Sequence, residues 1–260
     1  MLFLLSPAKT LDYETPVPAP LRKKASQPLY PAQAAELIAL LRRRTPAEVA
    51  SLMALSDKLA ALNVARYRAW QGEATAANSK PAVLAFDGEV YDGLAAKTLK
   101  TADLSWAQQH LVILSGLYGA LRPLDRLQPY RLEMGTALPT ARGKDLYAYW
   151  GDTVAEYLNL RQADEAAPVV VNLASVEYAR VALRKSLRAR VVACVFEEGQ
   201  ADGGYKVISF FAKKARGLMA RFAIDNRVRS VRALRGFSTE GYAWMREVSA
   251  SDRLVFRRRV

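Results

Sequence analysis

Short apolar runs that alternate with helical patterns constrain the fold of this chain more than any other feature of its sequence. Six of them have the length and composition of buried strands, at residues 2–5, 83–86, 111–114, 169–173, 191–196 and 205–210. Helical spacing of apolar residues predicts helices over 32–44, 46–62, 144–160 and 177–187. This alternation indicates a mixed α/β (α+β) protein with a central, largely buried sheet.

No repeat, low-complexity tract or linker divides the chain, so we expect one compact domain over residues 1–260. Apolar residues make up 51% of the chain, which excludes wholesale disorder. No run approaches the roughly 18 apolar residues of a membrane helix. The apolar start, residues 1–5, is too short for a signal peptide and has no basic segment before it. A cytoplasmic protein without a membrane partner is therefore expected.

The single cysteine and single histidine exclude several common chemistries. Cys194 has no second cysteine to form an intrachain disulfide, and its apolar surroundings predict an inert core thiol. One cysteine and His110 cannot complete a zinc site, and no G-x-S-x-G motif is present. We expect no metal and no cofactor.

Positive charge is concentrated in the last third of the chain. Residues 1–179 hold 19 basic and 18 acidic side chains, whereas residues 180–260 hold 19 basic and 7 acidic ones. This asymmetry favours a polyanionic partner, most often nucleic acid. The alternative is a solubilising basic tail, because three arginines occupy positions 257–259.

A helix is predicted after residue 210, with an apolar face formed by Phe211, Ala215, Leu218, Met219 and Phe222. The opposite face carries four cations and no carboxylate: Lys213, Lys214, Arg216 and Arg221. Such a face contacts phosphates without sequence discrimination.

Residues 46–71 have the pattern of a helical hairpin. Thr45, Pro46 and Glu48 form a capping box that starts the first helix. A tight turn at 60–63 would join it to a second helix over 64–71, giving a helix-hairpin-helix whose turn amides meet a DNA phosphate. Lys58, Asn63, Arg66 and Arg68 are its candidate DNA-binding residues. Ala61 stands where such turns often have glycine, so an ordinary structural hairpin remains an alternative.

Polar residues follow the predicted strands, where open α/β sheets hold ligands. The candidates for a pocket there are Ser6, Lys9, Thr10, Asp87, Tyr118, Arg122 and Arg131. In an enzyme, Lys9 would act as base or cation and Tyr118 as acid. Strand ends also need turn residues, so these positions have a purely structural explanation as well.

The chain resembles the YaaA family, bacterial proteins of the peroxide stress response. The motifs that carry this resemblance run in order through the chain at 6–12, 56–59, 86–91, 114–119, 121–125, 129–135, 149–151, 171–175, 177–178, 212–222, 236–237 and 241–242. The resemblance implies a single domain of unusual fold with a basic cleft and a helix-hairpin-helix. It implies binding of duplex and branched DNA, and links to DNA repair and lowered free iron. The segment 58–68 and the cations at 213–221 are the matching DNA-binding positions.

The favoured interpretation is a sequence-tolerant DNA-binding protein without an enzymatic activity. The alternative is an enzyme that acts on a phosphorylated or nucleobase-like small molecule in the strand-end pocket. Direct iron sequestration is disfavoured, because iron prefers His, Cys or clustered carboxylates as ligands. The chain has only one histidine and one cysteine.

Overall fold

A mixed eight-stranded sheet forms the centre of the protein, described over residues 1–259 in a computed structural model. The strands are β1 (Leu2–Leu5), β2 (Thr10–Leu11), β3 (Lys80–Pro81), β4 (Phe86–Asp87), β5 (Leu111–Ser115), β6 (Gly119–Leu121), β7 (Arg126–Leu127), β8 (Val169–Leu173), β9 (Arg190–Gly199), β10 (Tyr205–Lys206), β11 (Ala243–Trp244) and β12 (Arg253–Arg258). The helices are α1 (Ala19–Arg22), α2 (Pro31–Arg42), α3 (Pro46–Met53), α4 (Asp57–Ala69), α5 (Ala82–Ala85), α6 (Glu89–Leu94), α7 (Thr101–His110), α8 (Leu146–Trp150), α9 (Thr153–Arg161), α10 (Val176–Ala182), α11 (Ser209–Asp225) and α12 (Val231–Leu234).

The sheet has the strand order β11-β12-β9-β8-β1-β5-β6, and β10 pairs with β9. The five strands from β12 to β5 are parallel, while β11, β6 and β10 are antiparallel to their neighbours. All four residues of β1 are buried, so both faces of the sheet are covered there. Apolar side chains from strands and helices pack in one hydrophobic core. These features confirm the predicted mixed α/β domain with a buried central sheet.

Two of the predicted strands are largely wrong. Residues 82–85 form α5, and only Phe86 of the predicted run belongs to a strand. At 205–210, β10 covers only the first two residues, and α11 begins at Ser209. A short apolar run has no periodicity that separates a buried strand from a buried helical turn. The other four runs are confirmed as β1, β5, β8 and β9.

The turn of the helical hairpin lies six residues before its predicted position. The capping box at Thr45 is present, but α3 ends at Met53, and the turn at 54–56 contains Ala54 in the left-handed region at φ 49°. Residues 60–63 lie inside α4, where Ala60, Asn63, Val64 and Tyr67 form the buried face. The turn predicted at 60–63 is therefore wrong, because the helical periodicity continues through it.

Arg257 and Arg258 belong to a strand and are not part of a free basic tail. β12 pairs in parallel with β9, with Arg257 opposite Glu197 and Arg258 opposite Glu198. Arg257 Nε lies 2.8 Å from Glu197 Oε2, and Arg258 Nε lies 2.8 Å from Glu198 Oε2. Part of the basic excess in the last third is thus neutralised inside the fold.

Among residues 1–259, no helix is long and apolar enough to cross a membrane.

Candidate functional site

A polar cavity of about 660 Å³ lies at the carboxyl ends of the neighbouring parallel strands β1 and β8. Its walls come from the loop after β1, the start of α10, the segment 87–92 and the first two turns of α11. It is lined by Ser6, Pro7, Ala8, Lys9, Thr10, Asp87, Gly88, Glu89, Val90, Asp92, Glu133, Ser175, Glu177, Tyr178, Phe210, Lys213 and Arg216. Parallel sheets commonly bind ligands at this edge, since loops from adjacent strands converge there.

Four of the seven predicted pocket residues meet in this cavity: Ser6, Lys9, Thr10 and Asp87. Arg131 lies behind its wall and holds Glu133, with 2.9 Å between Arg131 Nη2 and Glu133 Oε1.

Tyr118 and Arg122 lie outside the cavity. The Tyr118 hydroxyl is buried and accepts a hydrogen bond from Trp70 Nε1 at 3.0 Å, and burial raises the pKa of Tyr118 to about 12. Arg122 pairs with the buried Asp125 at 2.8 Å. Tyr118, in the turn between β5 and β6, and Arg122, directly after β6, are both held in structural contacts that the sequence motif alone does not reveal.

Two serines hold the floor of the cavity in place. The Ser175 backbone amide donates to Ser6 Oγ at 2.9 Å, and the Ser6 carbonyl accepts from the Tyr91 hydroxyl at 3.0 Å. Ser175 is also the N-cap of α10, and its Oγ accepts from the Tyr178 amide. These bonds join the ends of β1 and β8 to one another.

One wall is an ion-pair chain through Glu133. Its carboxylate lies 2.9 Å from Lys9 Nζ and 2.9 Å from Arg131 Nη2. Burial opposes ionisation of Glu133, but hydrogen bonds from both cations outweigh it and lower its pKa. The carboxylate therefore holds the Lys9 ammonium at the cavity wall.

The basic face predicted on α11 is largely neutralised by carboxylates, two from other elements and one from α11 itself. Lys213 Nζ lies 3.8 Å from Glu89, Lys214 Nζ lies 2.6 Å from Glu240, and Arg221 Nε lies 2.8 Å from Asp225. Arg216 faces the cavity, which as a whole contains three cations and five carboxylates. The expectation of an exposed face without carboxylates is wrong, because Glu89 and Glu240 approach it from distant parts of the sequence and Asp225 lies one turn further along α11.

Close helix packing holds α11 beside α6. A Cβ built on Gly217 would lie 1.8 Å from the Val90 carbonyl oxygen, and one built on Gly93 would lie 2.2 Å from the Lys214 carbonyl oxygen. Only glycine allows two backbones to approach so closely. This contact places Lys213 and Arg216 opposite the segment 87–92.

The cations of the helical hairpin differ from the paired cations of α11 in having no carboxylate partner within the described part of the chain. Lys58 and Arg68 are exposed on α4, and Arg66 is half-buried with its Nη1 3.4 Å from Asn63 Oδ1. No carboxylate of residues 1–259 lies within 4.0 Å of these three cations. Asn63 itself is buried, and its Nδ2 donates to the Leu59 carbonyl at 2.8 Å.

Cys194 lies buried in β9, and burial raises the pKa of its thiol to about 12. We expect no reaction of the native protein with Ellman's reagent at mildly alkaline pH, because thiolate is scarce and access is closed. Unfolding in concentrated guanidinium chloride should release one reactive thiol. Rapid labelling of the native protein would contradict this prediction.

Glu133, Ser175, Glu177 and Phe210 line the cavity but were missed as candidates from the sequence. A signal was available for three of them, since 129–135, 171–175 and 177–178 are among the motifs that carry the family resemblance. Phe210 had no such signal, because it stood at the end of a predicted strand.

The buried mixed sheet and the cavity at the ends of its parallel strands define an α/β protein with a polar strand-end site. A sequence model of a family described as "Peroxide stress protein YaaA" matches residues 1–248. A UPF0246 protein of Leptothrix cholodnii is 66% identical over 99% of this chain and 98% of its own length. UPF0246 proteins of Polaromonas naphthalenivorans and Bordetella pertussis are 62% and 58% identical, over 99% and 100% of this chain and 98% and 99% of their own lengths. The chain belongs to the YaaA family of peroxide stress proteins, as its motifs predicted.

Proposed function

We propose that this protein binds duplex and branched DNA without strong sequence preference as part of the peroxide stress response. The observation that carries this proposal is the set of α4 cations, Lys58, Arg66 and Arg68, that have no carboxylate partner among residues 1–259. When unpaired cations neutralise DNA phosphates, the counterions condensed on the DNA are released, which drives non-specific binding. The net charge of +13 supports the same proposal. Its further parts, a role in DNA repair and a lowering of free iron, rest on the family resemblance alone.

The proposed contact is the side of α4 rather than the turn before it. Ser56, the N-cap of α4, makes no side-chain capping bond, so first-turn amides are open. However, Asp57 lies in that first turn, and its carboxylate repels a phosphate. Lys58 and Arg68 form no ion pair with a carboxylate of residues 1–259, and both are exposed.

Replacing Lys58 and Arg68 together by glutamine is expected to weaken the salt dependence of DNA binding. Each lost phosphate contact lowers the slope of log K against log salt by about 0.9, so the double variant should lose about 1.8. Fluorescence anisotropy with a labelled duplex and a four-way junction of unrelated sequences, measured across a salt series, gives this slope.

The matched control removes the same charge from α11, with Lys214→Gln and Arg221→Gln. Because both cations already pair with carboxylates, the slope should change less than in the α4 variant. A wild-type protein that binds neither DNA at moderate salt would overturn the proposal. A slope that falls only in the α11 variant would move the contact away from α4.

We propose a second candidate function, an enzyme that acts on a phosphorylated or nucleobase-like small molecule in the cavity. It is favoured by one observation, the meeting of Ser6, Lys9, Thr10 and Asp87 at the ends of β1 and β8. A solvated DNA-binding surface has no need of such a cavity.

A further inference from the structure

Arg216 stands in the cavity wall without an ionic partner. It is half-buried, and no carboxylate of residues 1–259 lies within 4.0 Å of its guanidinium. Burial lowers the pKa of Arg216, as expected for a desolvated cation with no carboxylate nearby. Partial burial of a charge without a partner costs free energy, and an anionic ligand would offset this cost. Lys213, one helical turn before it, has its own carboxylate only at 3.8 Å.

An aromatic ring borders the same cavity. Phe210 lines it and is 57% exposed, which is unusual for so large an apolar side chain. Its neighbour Phe211 meets it edge to face, with centroids 5.5 Å apart and an interplanar angle of 76°. A flat ligand that stacks on Phe210 would cover this apolar surface.

Hydrogen-bond acceptors complete the lining. The side chains of Asp87 and Asp92 line the cavity, and neither has a hydrogen bond or ion pair from residues 1–259. Carboxylates of this kind accept hydrogen bonds from the exocyclic amino group of a nucleobase. The cavity volume of about 660 Å³ lies in the range of small-molecule sites.

We propose that the cavity binds a single nucleotide whose base carries an amino group. The phosphate contacts Arg216 and Lys213, the base stacks on Phe210, and the amino group donates to Asp87 or Asp92. This inference rests on the second proposed function, for which it names the ligand class. A free nucleotide and a nucleotide unstacked from DNA offer the same chemistry, so the experiment has an arm for each.

The first arm measures binding of free nucleotides by isothermal titration calorimetry. AMP should bind at least about tenfold more tightly than adenosine, which lacks the phosphate, and than IMP, which lacks the amino group. Arg216→Gln should reduce AMP affinity about tenfold and leave that of adenosine nearly unchanged. Lys214→Gln is the matched control on the same helix, since Lys214 pairs with Glu240 and does not line the cavity. AMP binding that Arg216→Gln leaves intact would overturn the proposal.

The second arm places 2-aminopurine beside a mismatch in a duplex. If the nucleotide comes from DNA, its fluorescence should rise on binding, and Arg216→Gln and Phe210→Ala should abolish this rise. Anisotropy should show that both variants still bind the duplex. Absence of both AMP binding and the fluorescence rise, with duplex binding intact, would refute the nucleotide site and leave the DNA-binding proposal standing. If the wild type binds AMP but does not bind the duplex, only the DNA-binding proposal is refuted.

Discussion

Replacing Gly217 by alanine should destabilise the protein by roughly 3 kcal/mol or more, at the upper end of overpacking effects. The new Cβ would lie 1.8 Å from the Val90 carbonyl oxygen, and neither backbone has room to move within the packed α6–α11 pair. For a domain of this size the loss corresponds to a fall in melting temperature of about 6–12 °C. Differential scanning calorimetry measures it directly.

Gly72 provides the control for this substitution. A Cβ built there meets no atom within 4 Å, so Gly72→Ala should change stability by less than about 0.5 kcal/mol. Intrinsic propensity alone predicts the opposite result at Gly217, because alanine is the better helix former by about 1 kcal/mol. A Gly217→Ala protein that melts with the wild type would show that α6 and α11 are not in backbone contact.

The second large loss of stability is expected on replacing Asp12, whose carboxylate forms ion pairs with two lysines. Its Oδ2 lies 2.8 Å from Lys97 Nζ, and its Oδ1 lies 3.4 Å from Nζ of Lys80, whose side chain is only 5% exposed. Asp12→Asn leaves the Lys80 ammonium buried without a carboxylate, at a cost of about 3 kcal/mol near neutral pH. Urea unfolding followed by circular dichroism measures the loss.

The pH dependence of this effect has a definite sign. Burial raises the pKa of Asp12, but hydrogen bonds from Lys97 and the Thr15 backbone and the charge of Lys80 outweigh it, so the pKa lies well below its usual value. A carboxyl with a lowered pKa in the folded state stabilises the protein above its unfolded pKa of about 3.9 and loses this contribution as the pH falls. The difference between wild type and Asp12→Asn should therefore shrink by about 1 kcal/mol as the pH falls to about 3.

An exposed ion pair serves as the comparison for Asp12. Asp225→Asn removes the partner of Arg221, in a pair whose side chains are 27% and 45% exposed, and should cost less than about 1 kcal/mol. Two results would contradict the assigned role of Lys80. One is an equal loss of stability in Asp12→Asn and Asp225→Asn. The other is a stability difference between wild type and Asp12→Asn that stays constant from neutral to acid pH.

Local sequence patterns predicted the elements whose structure depends mainly on neighbouring residues. The strands β1, β5, β8 and β9, the capping box at Thr45 and the family motifs were all predicted from neighbouring residues. The location of Ser6 and Lys9 at the end of β1 also followed, because parallel strands end at a common edge. Asp87 reaches the cavity differently, since it pairs with Thr10 in the separate antiparallel β2–β4 ladder. Short ambiguous stretches were not decided in this way, as the helical turn at 82–85 and the shifted hairpin turn show.

The sequence by itself determined the fold class, the family, the absence of an intrachain disulfide and the four cavity residues after β1 and before α6. Tertiary structure alone decided which charges remain free. Glu89, Glu240, Glu197 and Glu198 neutralise cations that are distant in sequence, while Arg216 is left without a carboxylate in a cavity wall. The reason is physical: ion pairing depends on distances of a few ångströms, and long-range packing sets those distances, whereas hydrophobic periodicity reports only on the nearest turns of the chain.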